Sequence, residues 1–482
     1  MIKINSETIK KTVYDLCFQA NIYTSKDVYN ALLNAYKTET SEKAKNVIGE
    51  ILQNIQLSAI SQRPLCQDTG FVTVFVEIGN NIFIEGQSIT DAINDAVSQC
   101  YTENFFRKSM VSNPIFERKN TNDNTPAIIH TEIVTGNEIN IKVAIKGCGS
   151  ENMSQIKMLK PSDGIEGIID FAVNTVKEAG SRPCPPIRLG LGIGGTFDKS
   201  AVLAKKSLSL PVQTEEDLKN NNDDISKLEL GIMQKCNELK IGAAGLGGNN
   251  TVFGVNILTH PTHIAAMPVA ININCHSSRH SEATISENGV KYHTDELQTE
   301  FENIEINNNY EKRINTDEIE KIRNLSAGES VLLSGKIITA RDAAHKKIVE
   351  IIQAGKNLPF ELKDKIIYYV GPCPAKDNEI IGPCGPTTSS RMDKYMPVIL
   401  KNGMLACIGK GSRDNQVKEE LKQYKGLYFI TTGGVANLLK EKVKASKIIA
   451  FEELGPEAVY ELEIKDFPIT VAIDADGNNF IR

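Results

Sequence analysis

The sequence predicts a mixed α/β chain in two regions. Two observations predict this. Runs rich in β-branched and aromatic residues alternate with segments of helical apolar spacing along most of the 482 residues. Around 284–316 the composition turns to Asn, Glu and Lys, with Asn307-Asn308-Asn309 in its middle, as in a linker or polar insertion. The expected division is a larger region 1–283, a linker 284–316 and a smaller region 317–482, within the two to four domains this length allows.

Taken in order, residues 6–57 read as helices, with Ser25 placed to cap the one carrying Val28, Leu32, Leu33 and Tyr36. Arg63-Pro64-Leu65-Cys66-Gln67-Asp68-Thr69-Gly70 is a shaped turn, since Pro64 fixes φ and Gly70 permits a sharp exit. Its thiol, amide and acid suit a metal-and-substrate corner or, equally, a surface turn around a buried cysteine. Residues 71–78 read as a strand and 89–97 as a helix running toward Phe105. Two β-rich runs, 127–134 and 138–145, flank Thr135-Gly136-Asn137, and Gly-Asn favours tight turns, so a β-hairpin is expected. His130 within it reads as a strand-surface residue. The loop Lys146-Gly147-Cys148-Gly149-Ser150 has the glycine content of an anion-binding nest or of a plain flexible loop.

A helix over 164–179, stopped by Gly180, comes next. Gly190, Gly192 and Gly195 satisfy GxGxxG, but prolines 183, 185 and 186 stand where a dinucleotide site needs a buried strand. The glycine loop 242–251 precedes a strand over 252–257, and the run 268–276 reads as a strand delivering Cys275. In the second region two short strands meeting near Ser334-Gly335 would place Arg341 and Asp342 at a strand end, ahead of a helix over 343–354. Strands at 365–370, 405–409 and 427–432 and helices ending near Leu400 and Glu441 complete the pattern.

The bulk properties narrow the function. The formal charge of −6, without a basic stripe, argues against nucleic acid. The absence of an apolar run of about 18 residues argues against a membrane helix. The polar N-terminus lacks a signal-peptide core, and a cytoplasmic protein is expected. Ten cysteines spread along such a chain point to metal or redox roles for some and core packing for most, and no CxxC pair supports a zinc ribbon.

Cys66, Cys184 and Cys275 sit beside shaped or polar segments, and iron–sulfur clusters take thiolates from remote loops. Arg107, Lys146, Arg341, Arg391 and Lys410 fall near element ends or glycine-bearing loops. Cations converging on one cleft would suit a small dicarboxylate.

Here the chain resembles the class I, iron–sulfur fumarate hydratases and the related L-tartrate dehydratases. The matching segments are CQDTG at 66–70, KGCGSENMS at 146–154, CPPIRLGLGIGG at 184–195, THIAAMPVAININC at 262–275, ARDAAH at 340–345, GPTTSSRMD at 385–393 and GKGSR at 409–413. They fall in order over nearly the whole chain, and jointly they are specific. The resemblance implies a 4Fe–4S cluster on Cys66, Cys184 and Cys275 and reversible hydration of fumarate to (S)-malate. Tartrate or mesaconate is the alternative substrate. It implies substrate contacts from Gln67, Asp68, Arg107, Gly149, Arg341, Arg391 and Lys410, and a catalytic set of Thr387 exchanging the proton, Asp68 serving as acid or orienter, and His263. It further implies a homodimer, and a smaller, β-rich, layered C-terminal domain of swivelling type closing over the cluster. Cys148 departs from the small residue the family often carries at that place.

Overall fold

The computed structural model describes residues 2–306, 310 and 312–481. Three helices open the chain: Ser6–Ile22, Lys26–Thr38 and Glu42–Ser61. Asn5 and Ser41 accept hydrogen bonds from Glu7 N and Ala44 N at the starts of the first and third. Such caps satisfy backbone donors left open at a helix start. Gln62, at φ 52, turns the third helix into the Cys66 loop.

Two sheets follow. The five-stranded sheet has the order Gly289–Tyr292, His280–Ser286, Ile139–Lys146, Phe71–Gly79, Ile128–Val134. Helices Ser6–Ile22 and Ile89–Glu103 share a core with it, built on residues such as Ile9, Val13, Val74, Ile93 and Val143. The four-stranded sheet has the order Gln155–Leu159, Met267–Asn274, Ile187–Gly194, Val252–His260. Helices Gly164–Ala179 and Asp224–Asn237 contribute to its core.

The expected hairpin over 127–145 does not form. Its two strands are present, but Phe71–Gly79 lies between them, parallel to Ile128–Val134 and antiparallel to Ile139–Lys146. Buried positions Val72, Thr73, Val74, Phe75 and Val76 give that strand the apolar character of a sheet centre. The Gly136 turn wraps its end, with Gly79 N donating to Glu138 O at 2.8 Å and Asn80 N to Val134 O at 2.8 Å.

The C-terminal sheet has the order Lys312–Asn315, Ser330–Thr339, Ile366–Tyr368, Ala406–Gly409, Leu427–Ile430, Val459–Ile473, Val443–Ala450. Ser330–Thr339 also pairs with Val459–Ile473, which closes the sheet into a barrel-like layer. The chain is thus a mixed α/β protein with a β-rich C-terminal part. Two local expectations change. Residues 330–339 form one strand with a bulge near Leu333 and Gly335, not two strands. The 15-residue strand Val459–Ile473, whose alternation is broken by Asp466 and Pro468, was not foreseen.

Within the polar segment 284–316, the strand Gly289–Tyr292 belongs to the first sheet and Lys312–Asn315 to the C-terminal one. Between them Gln298 N donates to Thr24 O, Gln53 Nε2 to Ile304 O and Tyr36 OH to Glu305 O, so this part straps across the opening helices. Asn307 to Asn309 lie outside the described residues. Helices Lys26–Thr38 and Glu42–Ser61 pack in one core with the barrel-like sheet, through residues such as Leu32, Ile48, Ile51, Ile337, Ile408 and Phe429.

Candidate active site

Strand register builds the site. Phe71 pairs with Lys146, which sets the 66–70 turn beside the 147–151 loop. Gly70, at φ +56, makes this possible: a Cβ there would stand 2.1 Å from Lys146 O. In the other sheet Arg188 pairs with Asn274, so Cys184 and Cys275 lie at the same end of that sheet. From the C-terminal half, Thr388 bridges to Lys410 and Ser389 N donates to Lys410 O at 3.0 Å, joining the GPTTSSRMD and GKGSR segments.

The result is one cavity of about 100 Å³. Cys66, Gln67, Asp68, Arg107, Gly149, Cys184, Cys275, Arg341, Thr387, Arg391 and Lys410 all line it. His263 does not. It sits on an exposed loop, with Nδ1 accepting from Ala265 N at 3.1 Å. The cause is topological. Cys184 and Cys275 lie at the Arg188 end of the four-stranded sheet, while Gly194 pairs with His260 at the other end. A strand of that length spans roughly 25 Å.

Asp68 organises the floor. Its Oδ1 accepts from Arg107 Nη2 at 2.9 Å and Gly70 N at 3.2 Å, and its Oδ2 from Cys148 N at 3.1 Å. Burial works to raise its pKa, but Arg107, Arg279, Arg341 and Lys410 overcome this and hold it at about 2. The 146–154 loop thus contains the short helix Cys148–Glu151, whose first N–H meets a carboxylate. Gln67 Nε2 donates to Pro386 O at 3.3 Å, tying the two halves together.

The cations are held by acids outside the thiol group. Arg341 pairs with Glu457 at 3.3 Å and Arg391 with Asp342 at 3.2 Å. Arg391 Nη2 also donates to Thr387 Oγ1. The Nε atoms of Arg107, Arg341 and Arg391 are buried without a hydrogen-bond partner among the described residues. With Arg107, Arg341, Arg391 and Lys410 on its lining, the cavity suits an anionic ligand.

The thiols form the other wall. Lys410 Nζ lies 2.6 Å from Cys184 Sγ, and Ser277 Oγ 3.0 Å from Cys275 Sγ. Burial pushes Cys66 up to about 12 and raises Cys184. At Cys275 burial is outweighed by Arg279, Ser277 and Lys146, and its pKa is lowered. Lys146, itself lowered to about 8 by burial, donates to Ile273 O and to Ser150 Oγ at 3.1 Å. Gly433 closes this wall: a Cβ there would stand 2.5 Å from Cys184 Sγ. Among the described residues no three or more His, Cys, Asp or Glu converge on a single metal ion. Three thiols with cations beside them are a donor set that fits an iron–sulfur cluster, which also stabilises the thiolates that burial alone disfavours.

Some participants escaped the sequence reading. Arg279, whose Nη2 donates to Asp68 O at 2.8 Å, stands only four residues after Cys275, and that proximity was the available signal. Gly433 and Glu457 carried none. The GxGxxG glycines serve packing, because the strand Ile187–Gly194 contains the first two. A Cβ at Gly190 or Gly192 would stand 2.3 Å from Ala204 O or 2.0 Å from Ser200 O of the adjoining helix.

Comparison with known proteins agrees with this geometry. The sequence model described as fumarate hydratase (Fumerase) matches residues 10–284, and that described as fumarase C-terminus matches 284–482. The anaerobic class I fumarate hydratase of Escherichia coli (strain K12) is 29% identical over 468 residues, covering 92% of this chain and 84% of the relative. The mitochondrial fumarate hydratase 1 of Leishmania major is 29% identical over 466 residues, covering 92% and 84%. A Methanocaldococcus jannaschii protein provisionally named L(+)-tartrate dehydratase subunit alpha is 42% identical over 275 residues, 56% of this chain and 95% of that one. Among the described residues no helix is long and apolar enough to cross a membrane. With both family models spanning the chain and its motifs gathered around one cation-lined, thiol-walled cavity, this protein belongs to the class I fumarate hydratase family of hydro-lyases.

Proposed function

We propose that the protein adds water reversibly across fumarate to give (S)-malate, with a 4Fe–4S cluster held by Cys66, Cys184 and Cys275. The observation carrying this reading is the single cavity that sets three thiols against Arg107, Arg341, Arg391 and Lys410. When bound, such a cluster supplies Lewis acidity toward the C2 hydroxyl.

The chain's own residues do the rest. The guanidinium and ammonium groups bind the two carboxylates and stabilise charge as the C3 proton leaves. Thr387 takes that proton in dehydration and returns it in hydration. Its hydroxyl is a weak acid, and the donated hydrogen bond from Arg391 favours the alkoxide it must become. Asp68, held ionised, is a poor proton donor near neutrality, so its work is to orient. Gln67 and Gly149 complete the substrate wall. Gly149 leaves Lys410 its place, since a Cβ there would stand 3.2 Å from Lys410 Nζ. The division at 284–316, a homodimer and a cytoplasmic location belong to the same reading.

Malate formation by anaerobically reconstituted protein tests it, and an intact cluster without turnover on fumarate would refute it. L(+)-tartrate is a second reading, favoured by the 42% identity over 275 residues to the archaeal protein. Relative kcat/KM on fumarate, mesaconate and L(+)-tartrate separates the readings.

A further inference from the structure

Two further spaces share wall residues with one another, and one of them with the active-site cavity. An outer cavity of about 300 Å³ lies between the helix Glu42–Ser61 and the barrel-like sheet, with exposed Glu42 and Lys43 on its wall. A void of about 10 Å³ separates it from the substrate cavity. The void shares Val47, Thr431 and Thr432 with the outer cavity, and Cys184 and Lys410 with the substrate cavity. The 10 Å³ void thus has walls in common with both larger spaces.

The void is water-sized, and two of its lining residues carry unpaired hydroxyls. Ser181 and Thr431, 2% and 6% exposed, line it, and the Oγ of the first and Oγ1 of the second have no hydrogen-bond partner among the described residues. Buried hydroxyls are costly to leave unpaired, and about 10–15 Å³ accommodates one water. On the outer side Thr432 Oγ1 donates to Glu50 Oε2, giving the larger cavity a polar lining next to the neck.

We propose that the void bounded by Ser181, Thr431, Lys410 and Cys184 is a bound-water site, and that with the outer cavity it forms a water-sized rear entrance to the active site. The inference rests on the hydration reading for its purpose. Hydration consumes one water, and a dicarboxylate held in a cavity of about 100 Å³ leaves little room for water to pass beside it. A neck lined by Val47 and Thr431 passes water but not a diacid.

A high-resolution anaerobic crystal structure of the reconstituted protein is expected to show one water within hydrogen-bond distance of Ser181 Oγ and Thr431 Oγ1. Absence of density there, or a direct bond between the hydroxyls, would overturn the site. In kinetics, Thr431→Val keeps the shape and removes the hydroxyl. Its hydration kcat is expected to fall roughly threefold to tenfold with fumarate KM and iron content unchanged, and Thr431→Ser is expected to restore it. Wild-type turnover by Thr431→Val would overturn the entrance. Failure of the wild-type protein to hydrate fumarate would count against the proposed reaction instead, and the crystallographic result alone would then decide the water site.

Discussion

At the scale of single residues, Arg391 joins the proposed base to the proposed carboxylate clamp. Its guanidinium touches Thr387 Oγ1 and Asp342 while its Nε points into a buried, unpartnered position. Lysine keeps the charge but lacks the planar fork that serves two partners at once. Arg391→Lys is therefore expected to lower kcat by about 10²-fold or more at unchanged iron content. Kinetics equal to wild type would remove Arg391 from the clamp. Cys66→Ser is expected to lose iron and activity together, because a hydroxyl is a poor substitute for a thiolate ligand. Iron analysis on the purified variant checks this. Most of these residues were legible in the sequence as short motifs. His263 lies away from this chain's cavity: its motif neighbour Cys275 follows the strand Met267–Asn274, and His263 precedes that strand at its opposite end.

At the scale of elements, the misread hairpin shows where sequence reasoning stops. Local turn chemistry at Gly136-Asn137 is correct for a reversal, yet nothing local says that Phe71–Gly79 will insert between the two arms. Strand partners across 50 residues are chosen by burial. The glycine run 190–195 is a second case, since strand–helix contact requires the same residues as a phosphate loop. Gly190→Ala would press a methyl against Ala204 O and Ser207 Oγ, and a loss of about 1–3 kcal/mol in thermal or denaturant unfolding is expected. The helix Asp224–Asn237 carries a pH-dependent contact. Burial raises Glu229 from 4.5 to about 7, although its Oε1 accepts from Ile257 N at 2.7 Å. A raised carboxyl contributes stability that is present below 4.5 and lost as pH climbs through about 7. The melting temperature is expected to fall over that interval, and Glu229→Gln is expected to flatten the profile. An unchanged slope in the variant would assign the pH dependence elsewhere.

At the scale of the whole molecule, the cavity exists because two halves share it. Cys66 and Asp68 come from the turn that leads into the strand Phe71–Gly79, and Arg341, Thr387, Arg391 and Lys410 from the barrel-like part. Gln67 bonds to Pro386 O, and Arg107 Nη1 donates to Gly371 O at 2.8 Å, across that junction. Spacings between the three cysteines carry no diagnostic pattern. Their meeting was legible only through the ordered set of motifs, and the sheet registers supply the physical reason. The central claim is that these sulfurs hold an inorganic cluster beside a diacid clamp. Iron and sulfide content of protein assembled without oxygen, measured with fumarate turnover on the same sample, tests it most directly. About four irons per chain and malate formation that disappear together on exposure to air are the expected result. Colourless, iron-free protein after attempted cluster assembly, or full turnover without iron, would contradict it.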